Sequence, residues 1–252
     1  MKTLLKPLFD AVLYRWNKFN LKKQQQQIAG LTWFSIKKLK HDKSDHLKVH
    51  RSKIGDLYYT QAQQLYHGLQ EVLVDEIYKV NLASNARIID CGANIGLSVL
   101  YFKSICPSAH ITAFEPDRHN FELLTKNCIV NNLKQVDLVE AAVWKENTQL
   151  KFIAQGGMDS KISEGAEEGI LVKAYSLIDY LQDPVDFLKL DIEGAEIAAL
   201  QNLSEKSLKR INCLVLELHN LSSLVQNDRV LKSLIKLCSF LFCITLGDEY
   251  II

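Results

Sequence analysis

The segment Asp90–Gly96, with the sequence DCGANIG, has residue types and spacing that could bind a ligand. It lies between a predicted strand and a predicted helix, where glycines let the backbone come close to a bound molecule. Gly92 and Gly96 form GxxxG, whereas a dinucleotide fingerprint is GxGxxG and places its second glycine against a pyrophosphate. Asn94 occupies that second place, and Asp90 would repel a pyrophosphate. The loop therefore suits a ligand that carries an ammonium group better than one that carries phosphates.

A second acid, Glu115, ends the next predicted strand in Phe114-Glu115-Pro116. An ionised carboxylate at this place can accept hydrogen bonds from both hydroxyls of a ribose. An adenosine ligand with a positively charged tail would satisfy Asp90 and Glu115 together. The alternative is a structural turn beside a solvated acid, which gives the same pattern.

Three more acids, Asp191, Glu193 and Glu196, lie in DIEGAE at the end of another predicted strand. Carboxylates near a helix N-terminus often cap the helix, and capping is the role that we expect for Glu196. The alternative is a divalent ion held by Glu193, Glu196 and Glu217, because Mg²⁺ prefers oxygen ligands. The ligand spacing does not require a metal, so none is predicted.

His219 follows the predicted strand Ile211–Leu218. Strand alternation places its side chain on the same face as that of Glu217. Imidazole has a pKa suited to removing a proton from a hydroxyl near neutral pH. We predict that His219 is a general base and that Asp191 orients it or its substrate, with a surface or helix-capping histidine as the alternative.

The elements that position these residues begin near residue 81, where short apolar runs alternate with longer amphipathic stretches. This alternation is typical of a parallel sheet wound with helices. The interval Thr148–Leu181 is predicted to hold an inserted hairpin and a short helix, Ser176–Leu181. The predicted strands are Arg87–Cys91, His110–Glu115, Val136–Ala142, Val185–Asp191, Ile211–Leu218, Phe240–Leu246 and Glu249–Ile252, and the predicted helices lie near 96–105, 117–131, 194–202 and 222–235.

Residues 1–80 are predicted to be a basic helical extension, and residues 81–252 the ligand-binding domain. The whole chain of 252 residues has a formal net charge of +1 and is 48% apolar, which excludes a disordered tail and a polytopic membrane protein. The first 60 residues hold 13 Lys or Arg and 4 Asp or Glu, so they carry a net charge of 13 − 4 = +9. Gln24–Gln27 and the basic stretch from Lys37 to Lys53 are predicted to form a connector with a solvated face. Its lysines are not interleaved with aromatic residues, so no nucleic-acid binding is expected.

A helix over residues 3–21 is predicted to be amphipathic. It docks on the main domain or on a second copy of the chain, or it rests on an anionic membrane. No run of about 18 apolar residues suggests a membrane span, and Asp10 and Arg15 would interrupt a secretory leader. We therefore expect a cytoplasmic protein with reduced cysteines, peripheral to the membrane if the helix binds lipid. The apolar stripe of this helix consists of Leu5, Phe9, Val12, Trp16 and Phe19.

Four motifs, IIDCGANIG, FEPD, DFLKLDIEGAEIAAL and LVLELHN, together resemble the FkbM family of S-adenosylmethionine-dependent methyltransferases. The resemblance covers about Arg87 to Asn220. It implies a class I methyltransferase fold, a Rossmann-like, doubly wound and mostly parallel seven-stranded sheet whose last strand is antiparallel. It also implies S-adenosyl-L-methionine as the cofactor. By position, the loop Asp90 to Gly96 would hold the methionine part, Glu115 the ribose, and Asp191 and Glu193 would border the methyl group and the acceptor.

The resemblance further implies transfer of a methyl group to a hydroxyl oxygen, often on a sugar. The predicted function is therefore O-methylation of a carbohydrate or a glycosylated metabolite. The alternatives are a nicotinamide-dependent oxidoreductase and a non-catalytic adaptor on the same fold. Selection of the acceptor is assigned to residues 1–80 and to the insert Gln155–Gly169.

Overall fold

The computed structural model describes residues 2–153, 161–162, 169–218, 241–246 and 249–251, with side chains described for 14–151 and 169–218. The chain divides into two compact units, Met1–Lys79 and Val80–Ile252. No helix in the described part is both long and apolar enough to cross a membrane.

The first unit combines helices with a small hairpin. Its elements are α1 (Lys2–Ile28), α2 (Trp33–His41), β1 (Lys48–Ser52), β2 (Gly55–Tyr59), α3 (Ala62–Gly68) and a π-helix (Leu69–Val74). A capping box starts α2: the Thr32 hydroxyl accepts from the Ser35 amide at 3.2 Å, and the Ser35 hydroxyl accepts from the Thr32 amide at 2.7 Å.

The predicted connector is wrong, because Gln24–Gln27 lie in α1 and because α2 and β1 occupy most of the stretch from Lys37 to Lys53. Its solvated face is observed, since most residues of this stretch are exposed. β1 pairs antiparallel with β2, and Leu57 on β2 is completely buried. His50 on β1 is also buried, and its Nε2 lies 2.7 Å from the carbonyl oxygen of Ala29. A polar strand with one buried histidine resembles a loop in sequence, and the pairing that stabilises it is visible only in the structure.

The second unit is built on a seven-stranded sheet formed by described residues. The strands of this sheet are β3 (Arg87–Cys91), β4 (His110–Phe114), β5 (Val136–Val139), β10 (Phe187–Leu190), β11 (Cys213–Glu217), β12 (Leu241–Leu246) and β13 (Glu249–Ile251). Their order is β13-β12-β11-β10-β3-β4-β5, and every neighbouring pair is parallel except β12 with β13. This arrangement confirms the predicted doubly wound fold with an antiparallel last strand.

Helices connect these strands. The predicted helices near 96–105, 117–131 and 194–202 are present, whereas the one near 222–235 lies outside the described residues. The helices of this unit are α4 (Leu97–Ile105), α5 (Arg118–Val130), α6 (Glu196–Gln201), α7 (Glu205–Leu208) and a 3₁₀ helix (Leu177–Tyr180).

The interval between the third and fourth strands forms a second sheet, in the order β6-β9-β7-β8. β7 and β9 pair antiparallel, so the predicted hairpin is confirmed. The single strand predicted over Val136–Ala142 is wrong, because the chain turns at Val139, whose carbonyl accepts from the Ala141 amide at 2.9 Å. The strands of this sheet are β6 (Ala142–Trp144), β7 (Thr148–Ile153), β8 (Lys161–Ile162) and β9 (Ile170–Ser176).

The central strands of the large sheet are buried on both faces, as parallel strands covered by helices must be. Ile88 and Ile89 on β3 and Leu188 on β10 have no exposed surface. Two charged residues interrupt this apolar core, Asp90 on β3 and Lys189 on β10, and they are register partners on adjacent strands. Their pairing marks the carboxyl edge of the sheet, where ligands bind in doubly wound folds.

Candidate active site

The loop between β3 and α4 is fastened to the tip of β4. The amides of Gly92 and Ala93 both donate to the carbonyl oxygen of Phe114, at 3.0 and 2.9 Å. Gly92 has φ +81°, and a Cβ there would lie only 1.8 Å from the carbonyl oxygen of Asp191. Glycine is therefore required at this position because another loop of the protein packs against it, before any ligand is considered.

The second half of the same loop packs on α5. Gly96 has φ +90°, and a Cβ there would lie 2.7 Å from Leu124 Cδ1. Asn94 also has a positive φ, +49°, which asparagine tolerates better than most residues, and its Oδ1 accepts from the Ile95 amide at 2.7 Å. Asn127 on α5 donates to the carbonyl of Ile95 at 2.8 Å. Helix α5 thus fixes the shape of the loop.

Glu115 links the loop to the tip of β4 and is 6% exposed. Its Oε2 accepts from the Asn94 amide at 2.8 Å, and its Oε1 accepts from the Asp117 amide at 2.9 Å. Burial raises the pKa of Glu115 to about 7, although the two backbone hydrogen bonds act in the opposite direction. Each carboxylate oxygen has two acceptor positions, so each of these oxygens can accept one further hydrogen bond.

Lys189, which sequence reasoning did not select, lies at the centre of the site and is 3% exposed. Its Nζ is 3.4 Å from Asp90 Oδ1 and 3.1 Å from Asp191 Oδ2, and it donates to the carbonyl oxygen of Gly92 at 2.8 Å. The other carboxylate oxygen of Asp90 accepts from the Ser98 hydroxyl at 2.5 Å. One buried ammonium group therefore holds both acids and the glycine loop. A lysine inside the apolar run FLKLD was the signal that could have revealed it.

The geometry changes the expected role of Asp90. Its carboxylate is completely buried and faces Ser98 and Lys189, so it does not present a free charge at the surface of the loop. A buried carboxylate needs such partners because an unpaired charge in the protein interior is very costly. Asp90 contributes to the site by holding the loop that starts after it.

The DIEGAE segment forms a tight turn before α6. Glu193 and Gly194 have φ values of +54° and +97°. Glu196 is 1% exposed, and its Oε1 accepts from the amides of Ile192 at 3.2 Å and Gly194 at 3.0 Å. Glu196 therefore stabilises the turn that precedes α6, and the helix-capping role expected for it is wrong, because α6 begins after Ala195 without a side-chain cap. The Asp191 side chain, by contrast, remains 25% exposed while it contacts Lys189.

The site residues reach one edge of the sheet because the strands are in register. Leu190 on β10 pairs with Cys91 on β3 and with Leu216 on β11, so Asp191 and Glu217 follow at the same level. His219 comes two residues after Glu217 and lies outside the described residues. In the part of the chain that is described, no group of three or more His, Cys, Asp or Glu side chains could hold a metal ion.

The described cysteines are free thiols buried in the protein. Burial raises the pKa of Cys91, which directly precedes Gly92 in the loop, and the neighbouring Asp90 carboxylate raises it further. A thiol that stays protonated is a poor nucleophile, so Cys91 serves as a packing residue. The buried free cysteines are Cys91, Cys106, Cys128 and Cys213.

Replacing Lys189 with methionine is expected to destabilise the protein by about 3–5 kcal/mol, because it leaves Asp90 buried without its counter-charge. The double variant Asp90→Asn/Lys189→Met removes both charges and should recover part of this loss. The free energy of unfolding, measured by urea denaturation, tests both expectations.

Lys134→Met provides the matched control, because Lys134 is exposed and its loss should cost less than about 0.5 kcal/mol. A Lys189→Met variant as stable as this control would contradict the role assigned to the buried lysine.

Comparison with known proteins finds similarity to methyltransferases. Residues 90–242 match the model of the methyltransferase FkbM domain. Methyltransferase 1 of Beauveria bassiana is 26% identical over 178 residues, which are 59% of this chain and 71% of that protein. Methyltransferase sdnD of Sordaria araneosa is 29% identical over 196 residues, which are 62% of this chain and 74% of that protein.

Among solved structures, the chain is similar to the methyltransferase FkbM from Methylobacillus flagellatus KT. The identity is 18% and the TM-score 0.42, and the match covers 68% of this chain and 48% of that one. The family match spans more than half of the present chain and includes the glycine loop, Glu115, Lys189 and Asp191. The chain therefore belongs to the FkbM family of S-adenosylmethionine-dependent methyltransferases.

Proposed function

We propose that this methyltransferase acts on a hydroxyl oxygen of a carbohydrate or a glycosylated small molecule. The observation that carries this proposal is the partly exposed carboxylate of Asp191, which pairs with Lys189 while the same ammonium group donates to the carbonyl oxygen of Gly92. This contact supports the proposal, because a partly exposed carboxylate beside the loop assigned to the cofactor could accept a hydrogen bond from a sugar hydroxyl. Methyl transfer is an in-line displacement, so alignment of the acceptor oxygen with the methyl group supplies much of the catalysis.

The residues at the edge of the sheet fit S-adenosylmethionine. When bound, this cofactor supplies a methyl group activated by its sulfonium charge. The loop Gly92–Gly96, including Asn94, would surround its methionine part, and Glu115 would accept hydrogen bonds from the ribose hydroxyls with its two remaining acceptor positions. Asp90, Asp191 and Lys189 together carry a net charge of −1 when all three are ionised, which favours a cationic ligand.

The same features argue against a nicotinamide cofactor. A pyrophosphate would meet the net negative charge of Asp90, Asp191 and Lys189, and Asn94 replaces the glycine that usually approaches it. The non-catalytic adaptor is disfavoured by the retained acids at the sheet edge and by the match to methyltransferases.

On the acceptor side, Asp191 and Glu193 would bind or orient the hydroxyl group. His219 would remove its proton, because it follows Glu217 at the end of β11, and β11 ends at the same edge of the sheet as β10. We assign selection of the acceptor to residues 1–80 and to the insert Gln155–Gly169. This assignment rests on their lying outside the motifs that would bind the cofactor.

Replacing Glu115 with glutamine is expected to weaken the binding of S-adenosylhomocysteine by about 1.5–3 kcal/mol, the range for a hydrogen bond to a charged group. In the wild type, affinity should rise as the pH increases through about 7, because only the ionised carboxylate accepts all four hydrogen bonds. The variant should lose this pH dependence. Calorimetric titrations between about pH 5.5 and 8.5 measure both effects.

The stability of the ligand-free protein should show the opposite trend. The pKa of Glu115 is raised from 4.5 to about 7, so its contribution to stability is complete below pH 4.5 and is lost as the pH rises through about 7. Thermal denaturation of the wild type and of Glu115→Gln provides the check. An affinity for S-adenosylhomocysteine that is the same in both proteins at every pH would mean that the ribose is held elsewhere.

The variant His219→Ala should slow methyl transfer by about 10²–10⁴-fold, the usual contribution of a general base, while cofactor affinity is retained. Single-turnover rates across about pH 5–9, with an acceptor found by screening saccharides, test this expectation. His110→Ala is the control, because His110 is an exposed histidine at the start of β4. If His219→Ala keeps the rate and pH profile of the wild type, Asp191 becomes the next candidate for the base.

A further inference from the structure

Helix α1 has a long stretch that is exposed on all sides. Every side chain from Tyr14 to Gln24 is exposed, which corresponds to three helical turns without a buried face. Most helices in proteins are stabilised by packing of an apolar face, and this stretch of α1 buries no such face. A surface that covers it would therefore stabilise it.

The exposed side chains include large aromatic residues. Trp16 and Phe19, two members of the predicted apolar stripe of α1, are 61% and 66% exposed. At the start of α2, Trp33 and Phe34 are 68% and 77% exposed, and their rings contact each other edge to face with 4.9 Å between centroids. Tryptophan is enriched at the boundary between lipid headgroups and acyl chains, where one part of its ring is apolar and the other is hydrated.

The charged side chains of α1 and α2 in the stretch that contains these aromatic residues are all basic. Residues 11–41 contain seven Lys or Arg and no Asp or Glu. Of these basic residues, Lys22 pairs with Asp75 at 3.3 Å, and Lys37 lies over the ring of Trp33 at 5.4 Å. The seven basic residues are Arg15, Lys18, Lys22, Lys23, Lys37, Lys38 and Lys40.

This charge decides which surface covers the helix. Two copies of the segment would bring like charges together, so self-association is opposed by electrostatic repulsion. An anionic bilayer offers both an apolar region for the aromatic side chains and a negative potential that attracts each basic residue by about 1 kcal/mol.

We propose that the exposed residues of 14–24 and 33–40, here called the basic aromatic surface, bind an anionic lipid bilayer. Trp16, Phe19, Trp33 and Phe34 enter the headgroup boundary, and the lysines and arginine contact lipid phosphates. This interaction is independent of methyl transfer and requires neither the cofactor nor the acceptor.

The full chain is tested by co-sedimentation with vesicles of phosphatidylcholine alone and with vesicles that also contain phosphatidylserine. Binding is expected to the anionic vesicles only and to weaken as salt is added. The variants Lys18→Glu/Lys23→Glu and Trp33→Ala/Phe34→Ala should each reduce the partition coefficient by about ten-fold or more.

Matched controls come from the second unit. Ile129, which is 71% exposed, is replaced with alanine, and the exposed Lys134 is replaced with glutamate; neither change should alter vesicle binding. Far-UV circular dichroism and thermal denaturation of each variant verify that the first unit is folded. Titration with S-adenosylhomocysteine reports separately on the second unit, so a failure of the membrane proposal is distinguishable from a failure of the proposed function.

Three results would overturn the proposal. The first is the absence of binding to anionic vesicles, or binding that both double variants retain. The second is tighter binding to duplex DNA than to anionic vesicles, which would assign the surface to nucleic acid. The third is a wild-type chain that does not bind vesicles but forms a dimer in sedimentation analysis, with the dimer abolished by Trp16→Ala/Phe19→Ala. That result would assign the basic aromatic surface to a second copy of the chain.

Discussion

The ion pairs of Lys189 with Asp90 and Asp191 are the interaction on which the candidate active site depends. The ammonium group is buried between two neighbouring strands and also donates to the carbonyl of Gly92. Buried charges of this kind are stable only when each has a partner, so the three residues must stay together. Their association fixes the distance between the loop after β3 and the loop after β10, which are the two sides of the proposed reaction.

The acids at this edge have different tasks because their surroundings differ. Asp90 and Glu196 are buried and bind protein groups, whereas Asp191 remains partly exposed and can reach a ligand. Glu115 combines both tasks, because it accepts two backbone hydrogen bonds and has acceptor positions left over. The pKa of Glu115 is raised because burial disfavours the ionised form of its carboxylate. Sequence alone could not separate these roles, since they depend on burial.

The parts of the fold that follow from local pattern could be predicted. The apolar runs gave β3, β4, β10 and β11, and the spacing of Gly92 and Gly96 marked the loop between β3 and α4. The break between β5 and β6 could not be predicted, because Val136–Ala142 is continuously strand-like and divides only where two sheets meet. The hairpin of β1 and β2 was missed for the same kind of reason, since its pairing partner stabilises it.

Long-range contacts account for what the sequence did not show in the site. The need for glycine at position 92 comes from the carbonyl of Asp191, which is distant in the chain. The role of Lys189 depends on its register with Asp90 on the neighbouring strand, which the sequence does not show. The loop after β3 could nevertheless be assigned to the cofactor from the sequence, because GANIG and DIEGAE occur together, and they follow β3 and β10, which are neighbours in the sheet.

The most direct test of this account is a pair of calorimetric titrations of the purified full chain, one with S-adenosylmethionine and one with NADH. We expect S-adenosylmethionine to bind with one site per chain and NADH neither to bind nor to compete, because Asp90, Asp191 and Lys189 together carry a net negative charge where a pyrophosphate would lie. Binding of NADH in competition with S-adenosylmethionine, or binding of neither compound to the folded protein, would contradict it.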